Sequence, residues 1–469
     1  EVTGHYLNPH KSTCTFKHTS GILKDLNRKI TARCCTPAYY LATNGTDYKY
    51  TLEIVKVYPS QGKIKVRITY TPVHRSGPAL YLGYDGHTHQ TTYKRQTHKT
   101  TLTIPVGPKV GYVQIEKKSD GQISNNNDMY GVGGAKYQLF HDAACTDGAQ
   151  FTDGSDAILV TNDDGKSPVY ELDVDTYYIK EIQAPKGHSL STAKNKLIVT
   201  IKNTETTPLK VTYTNKEKYG DLLIEKLDTE LNEFASEGDA KIETVKWEIT
   251  YFDNKDGSGN AQRTWIFAIP DAAHNNKPLT EDMYVSGSPL YKVDGKMVFP
   301  LGTYKLKEIT PVGYLPNDKI EIVHILDSLG PTSTKVNVGT AEVHRSNQVI
   351  RGGLEVEKHD RETNAHWPLG GASFVGTTFK LVNSSDKFIY YKKGNDFVLD
   401  NNGQPKKFAP GEQIDTLRVN NDGVPATTDS NGDGTDWSLP YGTYTLQEIT
   451  VDDLEQKNGS YLPTEIEKG

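Results

Sequence analysis

GYVQIEKKSD (111–120), GDLLIEKLDT (220–229) and GGLEVEKHDR (352–361) are three versions of one segment. Each sets a glycine six residues before a lysine: Gly111 and Lys117, Gly220 and Lys226, Gly352 and Lys358. Apolar and polar residues alternate, the period of a strand with one buried face. On that period Val113, Ile115 and Lys117 share a face, as do Leu222, Ile224 and Lys226, and Leu354, Val356 and Lys358. A lysine ends each apolar face.

A second motif follows downstream: DTYYIKEIQAPKGH (175–188), GTYKLKEITPVGY (302–314) and GTYTLQEIT (442–450). It puts a glutamate on the apolar face five residues after a threonine, giving Glu181, Glu308 and Glu448. A third motif ends the first two repeats, with Asn215 and Asn347 each standing 11 residues before the next repeat's lysine. Val211, Tyr213 and Asn215 share a face; the run before Asn347 contains Arg345, which blurs the parity there.

The lysines are 109 and 132 residues apart, too long for a solenoid unit and suited to tandem sandwich domains. Asx- and Gly-rich turns such as NDDG (162–165) and NNDG (420–423) punctuate short strands. The composition agrees: 469 residues, 35% hydrophobic, with 28 Tyr, 41 Gly, 23 Pro and 4 Cys. No apolar run approaches the length of a membrane span. The expected fold is all-β, tandem sandwiches after a mainly β head. Expected domains are 1–110 (head), 111–218, 219–350 and 351–469.

One Lys, one Glu and one Asn directed into an apolar core form a reactive set. Burial lowers a lysine pKa and raises that of a glutamate. A neutral amine is a nucleophile, and a protonated Glu can polarise the Asn amide and pass a proton to departing ammonia. Held together, the groups can form a Lys–Asn amide. Two plainer accounts compete: a buried Lys–Glu ion pair, or a lysine turned to solvent at a strand end. The recurrence of the set argues against both.

The set VQIEK…YYIKEIQAPKGH…VTYTN resembles the Cna B-type domains of Gram-positive surface proteins and pilins, over about residues 111–469. The resemblance implies Ig-like, prealbumin-related β-sandwiches closed by autocatalytic isopeptide bonds. It links Lys117 to Asn215 with Glu181 as promoter, and Lys226 to Asn347 with Glu308. In the last domain Lys358 and Glu448 match, but the Glu-to-Asn spacings of 34 and 39 residues carry the expected Asn beyond Gly469. That domain is expected to lack its last strand, and Lys358 to find a partner only outside the chain. Lys118 falls on the opposite face.

The head differs. Residues 1–110 hold 16 Lys and Arg against 5 Asp and Glu, and the remainder 37 against 54. A basic head therefore precedes an acidic body, with no nucleic-acid reader motif beside the positive charge. Ile22, Leu23, Leu26 and Ile30 stand at helical spacing and predict one short helix over 21–35. Strands are expected at 48–58, 63–72 and 100–105, with a hairpin turn at 60–62. The head is similar to the end of a thioester adhesion domain, without the family's Q-x-x-I-W stretch. VKVYPSQGK (55–63) resembles the VYPK pilin motif, with Ser60 at the linking lysine's place. Cys14, Cys34, Cys35 and Cys145 set no framework. They read as buried or idle thiols, with a Cys14 disulfide to Cys34 or Cys35 left open. His87 and His89 are too few for a metal site, and DSNGDG (429–434) reads as a turn, since Pro440 replaces the closing EF-hand Glu.

The expected function is the stalk of a cell-wall-anchored adhesin on a Gram-positive surface, a piece of something longer. A pilus subunit, or accessory modules of a secreted enzyme, are the alternatives. No catalytic constellation, cofactor, metal, nucleic acid or membrane span is expected. A host-surface or matrix ligand is expected for the head or the region before it, and the cell wall is expected at the far end.

Overall fold

The computed structural model describes residues 110–428 except 120, 122, 152 and 201, together with 438–449. Before residue 110 it describes seven strands: His10–Thr15, Lys29–Cys34, Tyr48–Tyr58, Lys63–Pro72, Gly77–Leu82, Thr88–Tyr93 and His98–Pro105. Helix among the described residues is limited to the three-residue 3-10 turns Ile242–Thr244 and Glu281–Met283. None is long and apolar enough to cross a membrane. The all-β reading holds.

The chain divides into two compact units. Unit 1 comprises residues 1–120, 130–216 and 330–334; unit 2 comprises 121–129, 217–329 and 335–469.

In the first 109 residues, Tyr48–Tyr58 pairs antiparallel with Lys63–Pro72, Tyr58 opposite Lys63; the turn expected at 60–62 lies outside the described residues. His98–Pro105 adds a third strand on the far edge of Lys63–Pro72. The helix expected over 21–35 is corrected: Lys29–Cys34 is a strand, antiparallel to His10–Thr15. Ile30 and Thr31 are β-branched and favour a pleated surface over a helix. Residues 21–28 lie outside the described residues. The same register sets Cys14 opposite Ile30 and Cys34 opposite His10. Four strand positions separate their backbones by roughly 13 Å, beyond the reach of a disulfide. Cys35 lies outside the described residues.

The sandwich in unit 1 faces a three-stranded sheet with a four-stranded one. In the first, Val110–Ser119 lies between Tyr170–Asp173, antiparallel, and Leu209–Asn215, parallel. The second orders Ile158–Val160, Lys136–Phe140, Thr176–Gln183 and Lys194–Ile198. Val113, Ile115, Leu172 and Tyr213 meet Tyr137, Leu139, Leu159, Tyr177 and Ile179 in one core.

Unit 2 repeats this plan. Tyr219–Asp228 pairs parallel with Asn337–Asn347 and antiparallel with Lys277–Pro278 and Phe299–Pro300. Opposite lies a five-stranded sheet in the order Tyr284–Gly287, Arg263–Ala268, Lys246–Phe252, Gly302–Ile309, Glu321–Ile325. Trp247, Trp265, Tyr251, Phe267 and Tyr304 are buried almost completely, each contributing about 1.5–3 kcal/mol by removal from water.

The recurrent glycines have a steric cause at two of three positions. A Cβ on Gly111 would strike the carbonyl of Thr200 and the Val199 side chain, and one on Gly220 the Ile325 side chain and Gly339 carbonyl. Gly352 has open space around it. Gly220→Ala should therefore lower the unfolding free energy of unit 2 by about 1–3 kcal/mol, while Gly352→Ala leaves it unchanged, as denaturant titration would read.

The last segment of unit 2 is less complete. Thr378–Asn383 lies between Gln413–Arg418 and Tyr444–Glu448. The strand carrying the third repeat is reduced to Glu355–Val356, paired antiparallel with Ala426–Thr427. Among the described residues it has no parallel partner. Residues 450–469 lie outside the described residues.

Arg351, where the segments 219–350 and 351–449 meet, sits in a buried polar cluster within unit 2. Its Nε donates to both Glu230 oxygens at 3.0 and 3.1 Å, and its Nη2 donates to Glu230 at 2.6 Å and Glu237 at 2.8 Å. Nη1 donates to the carbonyls of Tyr390 and Ser438. Lys392 adds a contact to Glu230 at 2.8 Å. Burial pushes Glu237 up to about 8 against the pull of Arg351.

Candidate functional site: three inward Lys–Glu clusters

Alternation along Val110–Ser119 leaves Val113, Ile115 and Lys117 inside, and Lys117 is 2% exposed. In the parallel register Tyr213 stands beside Lys117 and Asn215 beside Ser119. Glu181 comes from the opposite sheet and is buried. Its carboxylate accepts from Tyr137 Oη at 3.1 Å, Ser191 N at 2.7 Å and Asn215 Nδ2 at 2.6 Å. Asn215 Nδ2 also donates to the Ser189 carbonyl at 2.7 Å, while its Oδ1 is buried without a hydrogen bond. Lys117 Nζ donates to the Lys118 carbonyl at 2.6 Å. Burial raises the Glu181 carboxyl above its ordinary range, partly offset by its three donors and by Lys117.

The second cluster is drier. Lys226, Glu308 and Asn347 are all buried. Lys226 Nζ lies 3.4 Å from Glu308 Oε2, near enough for charge attraction but without hydrogen-bond geometry. Asn347 Nδ2 donates to Glu308 Oε1, and more distantly to the Leu315 carbonyl. Three buried polar atoms here make no hydrogen bond: Lys226 Nζ, Glu308 Oε2 and Asn347 Oδ1. Burial lowers the Lys226 pKa to about 8, with Glu308 opposing the shift. The parity blurred by Arg345 is resolved: Val343, Arg345 and Asn347 all turn inward. Arg345 is held by Glu321 at 2.8 Å and the Lys319 carbonyl at 2.9 Å.

The third cluster is an ion pair. Lys358 Nζ meets both Glu448 oxygens, at 3.0 and 2.8 Å, and both side chains are 10% exposed. This is the plain Lys–Glu pairing weighed in the sequence.

An aromatic residue stands opposite the glutamate on the neighbouring strand in every repeat: Tyr137 to Glu181, Trp247 to Glu308, Phe379 to Glu448. Sequence reading missed these three. Their signal is a shared place, second in the first strand of the second sheet, in KYQLF, KWEITYF and TFKLVN. His87, Ser60 and the 429–434 turn lie outside the described residues.

Chemically, the groups suit a condensation: a neutral Lys Nζ would attack the Asn Cγ, the Cγ–Nδ2 bond would break, and ammonia would leave with a proton handed on by the glutamate. The Glu181–Asn215 and Glu308–Asn347 contacts fall on the nitrogen that would depart.

No curated protein sequence matches the chain. Among solved structures it is similar to the Bacillus anthracis TIE protein, at 18% identity and a TM-score of 0.43, covering 84% of this chain and 55% of that one. This chain thus spans about half the length of the TIE protein. It is also similar to a streptococcal ancillary pilin (16% identity, TM-score 0.22, 73% of this chain and 90% of that one). BcpA, the major pilin subunit of Bacillus cereus, gives 15% identity and a TM-score of 0.22, covering 74% of this chain and 97% of that one. The family model described as "SpaA: Prealbumin-like fold domain" matches residues 112–217. The matched segment is the β-sandwich that carries Lys117, Glu181 and Asn215, and its prealbumin-like description agrees with the observed fold.

Proposed function

We propose that the chain is a stretch of stalk from a Gram-positive cell-surface adhesin, its sandwiches sealed by Lys117–Asn215 and Lys226–Asn347 amide bonds. Glu181 and Glu308 promote them. The observation that carries this reading is the set of three buried polar atoms that make no hydrogen bond, on Lys226, Glu308 and Asn347, enclosed in an apolar core. Left unreacted, such atoms are costly to bury. Condensation removes the amine and the primary amide together. The chain performs no turnover chemistry beyond its own cross-links. The stalk is fixed to the cell wall and carries a host-facing ligand site in the basic head or in the region preceding it.

Intact mass is the direct test. The full chain should weigh two ammonia units less than its sequence, with Glu181→Ala and Glu308→Ala each recovering one. Lys358→Ala should change the mass by the substitution alone. A wild-type mass equal to the uncorrected sequence would falsify the proposal.

A further inference from the structure

The alternation that turns Lys358 inward turns its neighbours outward. Glu357 and His359 lie on the outer side of this strand end, and the loop after it returns a third side chain to them. That loop is built. Buried Asp360 Oδ1 accepts from the N–H groups of Glu362 and Thr363 and from the Thr363 hydroxyl. Asn364 N donates to the Asp360 carbonyl, and Asp360 N to the Ala365 carbonyl. Asn364 takes a left-handed φ of 53° to close the turn. The result sets His366 Nδ1 3.3 Å and His359 Nε2 3.0 Å from the same oxygen, Glu357 Oε2. The imidazole centroids are 4.3 Å apart, and one ligand atom from each of the three residues falls within 4.8 Å of the others.

We propose that Glu357, His359 and His366 bind a divalent transition ion of the Zn2+ class. Two imidazole nitrogens and one carboxylate select such ions over Ca2+ or Mg2+, which require shells of oxygen. Ligands of a tetrahedral Zn2+ stand about 3.4 Å from one another, given metal–ligand bonds of about 2.1 Å. The three groups reach that spacing with small side-chain movements. His359 carries the outer contact expected of a ligand: its Nδ1 lies 3.3 Å from the Asn364 carbonyl, and donation there leaves Nε2 free to bind metal. Three protein ligands leave a fourth position, beside a cleft lined by His366, Phe374, Val419 and Pro425. The ion ties the 360–366 loop to a strand reduced to two paired residues, a clip where the other repeats have a full parallel ladder.

The test is calorimetric titration of the full chain with ZnCl2 in a non-coordinating buffer, against a His359→Ala/His366→Ala double variant. Weak zinc binding by other histidines is common to both proteins, so the difference is the readout. The wild type should take up one more Zn2+ than the variant, and Zn2+ should raise the thermal midpoint of unit 2 only in the wild type. Both imidazoles are partly exposed, and equal midpoints in EDTA will verify that the variant folds. Equal Zn2+ uptake and affinity in the two proteins, or CaCl2 binding as tightly as ZnCl2, would overturn the proposal.

Discussion

Asn347→Ala should lower the thermal midpoint of the sandwich built on residues 219–350 by on the order of 15 °C. An amide between Lys226 and Asn347 closes a loop of more than a hundred residues, worth about 5 kcal/mol on the chain-entropy account, and each kcal/mol moves the midpoint of such a domain by about 2–4 °C or more. This substitution leaves the Lys226–Glu308 pair, 3.4 Å apart, in place. Glu308→Ala should melt lower still, because the bond is lost and Lys226 is left as a buried charge without its partner. Scanning calorimetry with mass spectrometry on the same samples checks both. An Asn347→Ala protein that melts with the wild type would remove the bond from the stability account.

The pH dependence of bond formation separates two mechanisms. Attack needs a neutral amine, and departure of ammonia needs a proton held nearby. Below the Lys226 pKa of about 8 the amine carries a proton. Its transfer to the Glu308 carboxylate, 3.4 Å away, gives the neutral amine and a nearby proton donor together. Formation in refolded protein should therefore slow as pH rises above about 8. Attack by a free amine alone would instead accelerate through that range, and a time course of mass loss distinguishes the two.

Arg351→Ala should cost unit 2 about 3–5 kcal/mol. It strips the guanidinium from Glu230 and Glu237, two buried carboxylates it now bridges at 2.6 and 2.8 Å. It also frees the carbonyls of Tyr390 and Ser438. Arg351→Lys should recover only part, since one ammonium cannot reproduce a planar fork. In the wild type, Glu237 has a folded pKa near 8, above its ordinary 4.5. Its contribution is full below 4.5 and is lost as pH rises toward 8. Urea titrations at pH 5 and pH 8 should show lower stability at pH 8 from this group. An Arg351→Ala protein as stable as the wild type would leave the cluster without a structural role.

The strands at 48–58 and 63–72 were legible because each is a long β-rich run ended by a turn. The inward lysines and glutamates were legible because a period of two assigns a face without knowledge of the partner strand. The short helix failed because four apolar residues fit a helical spacing while Ile30 and Thr31 follow pairing with His10–Thr15 instead. Arg345 misled because sequence cannot show a guanidinium reaching Glu321 from an inward position. The Arg351 cluster joins residues more than a hundred positions apart, and no local period encodes that. The Glu357, His359 and His366 grouping depends on the fold of one loop, which spacing alone does not reveal.

The parallel pairing of Val110–Ser119 with Leu209–Asn215 has a mechanical consequence. The chain enters at the start of one strand and leaves at the end of its neighbour, at opposite ends of the pair. Force applied along the chain therefore pulls the two strands past each other and loads their hydrogen bonds together rather than one by one. With Lys117 joined to Asn215, tension would run from residue 110 to 117, across the amide and out at 215. The residues between them would carry none of it, and the domain would act as an inextensible link.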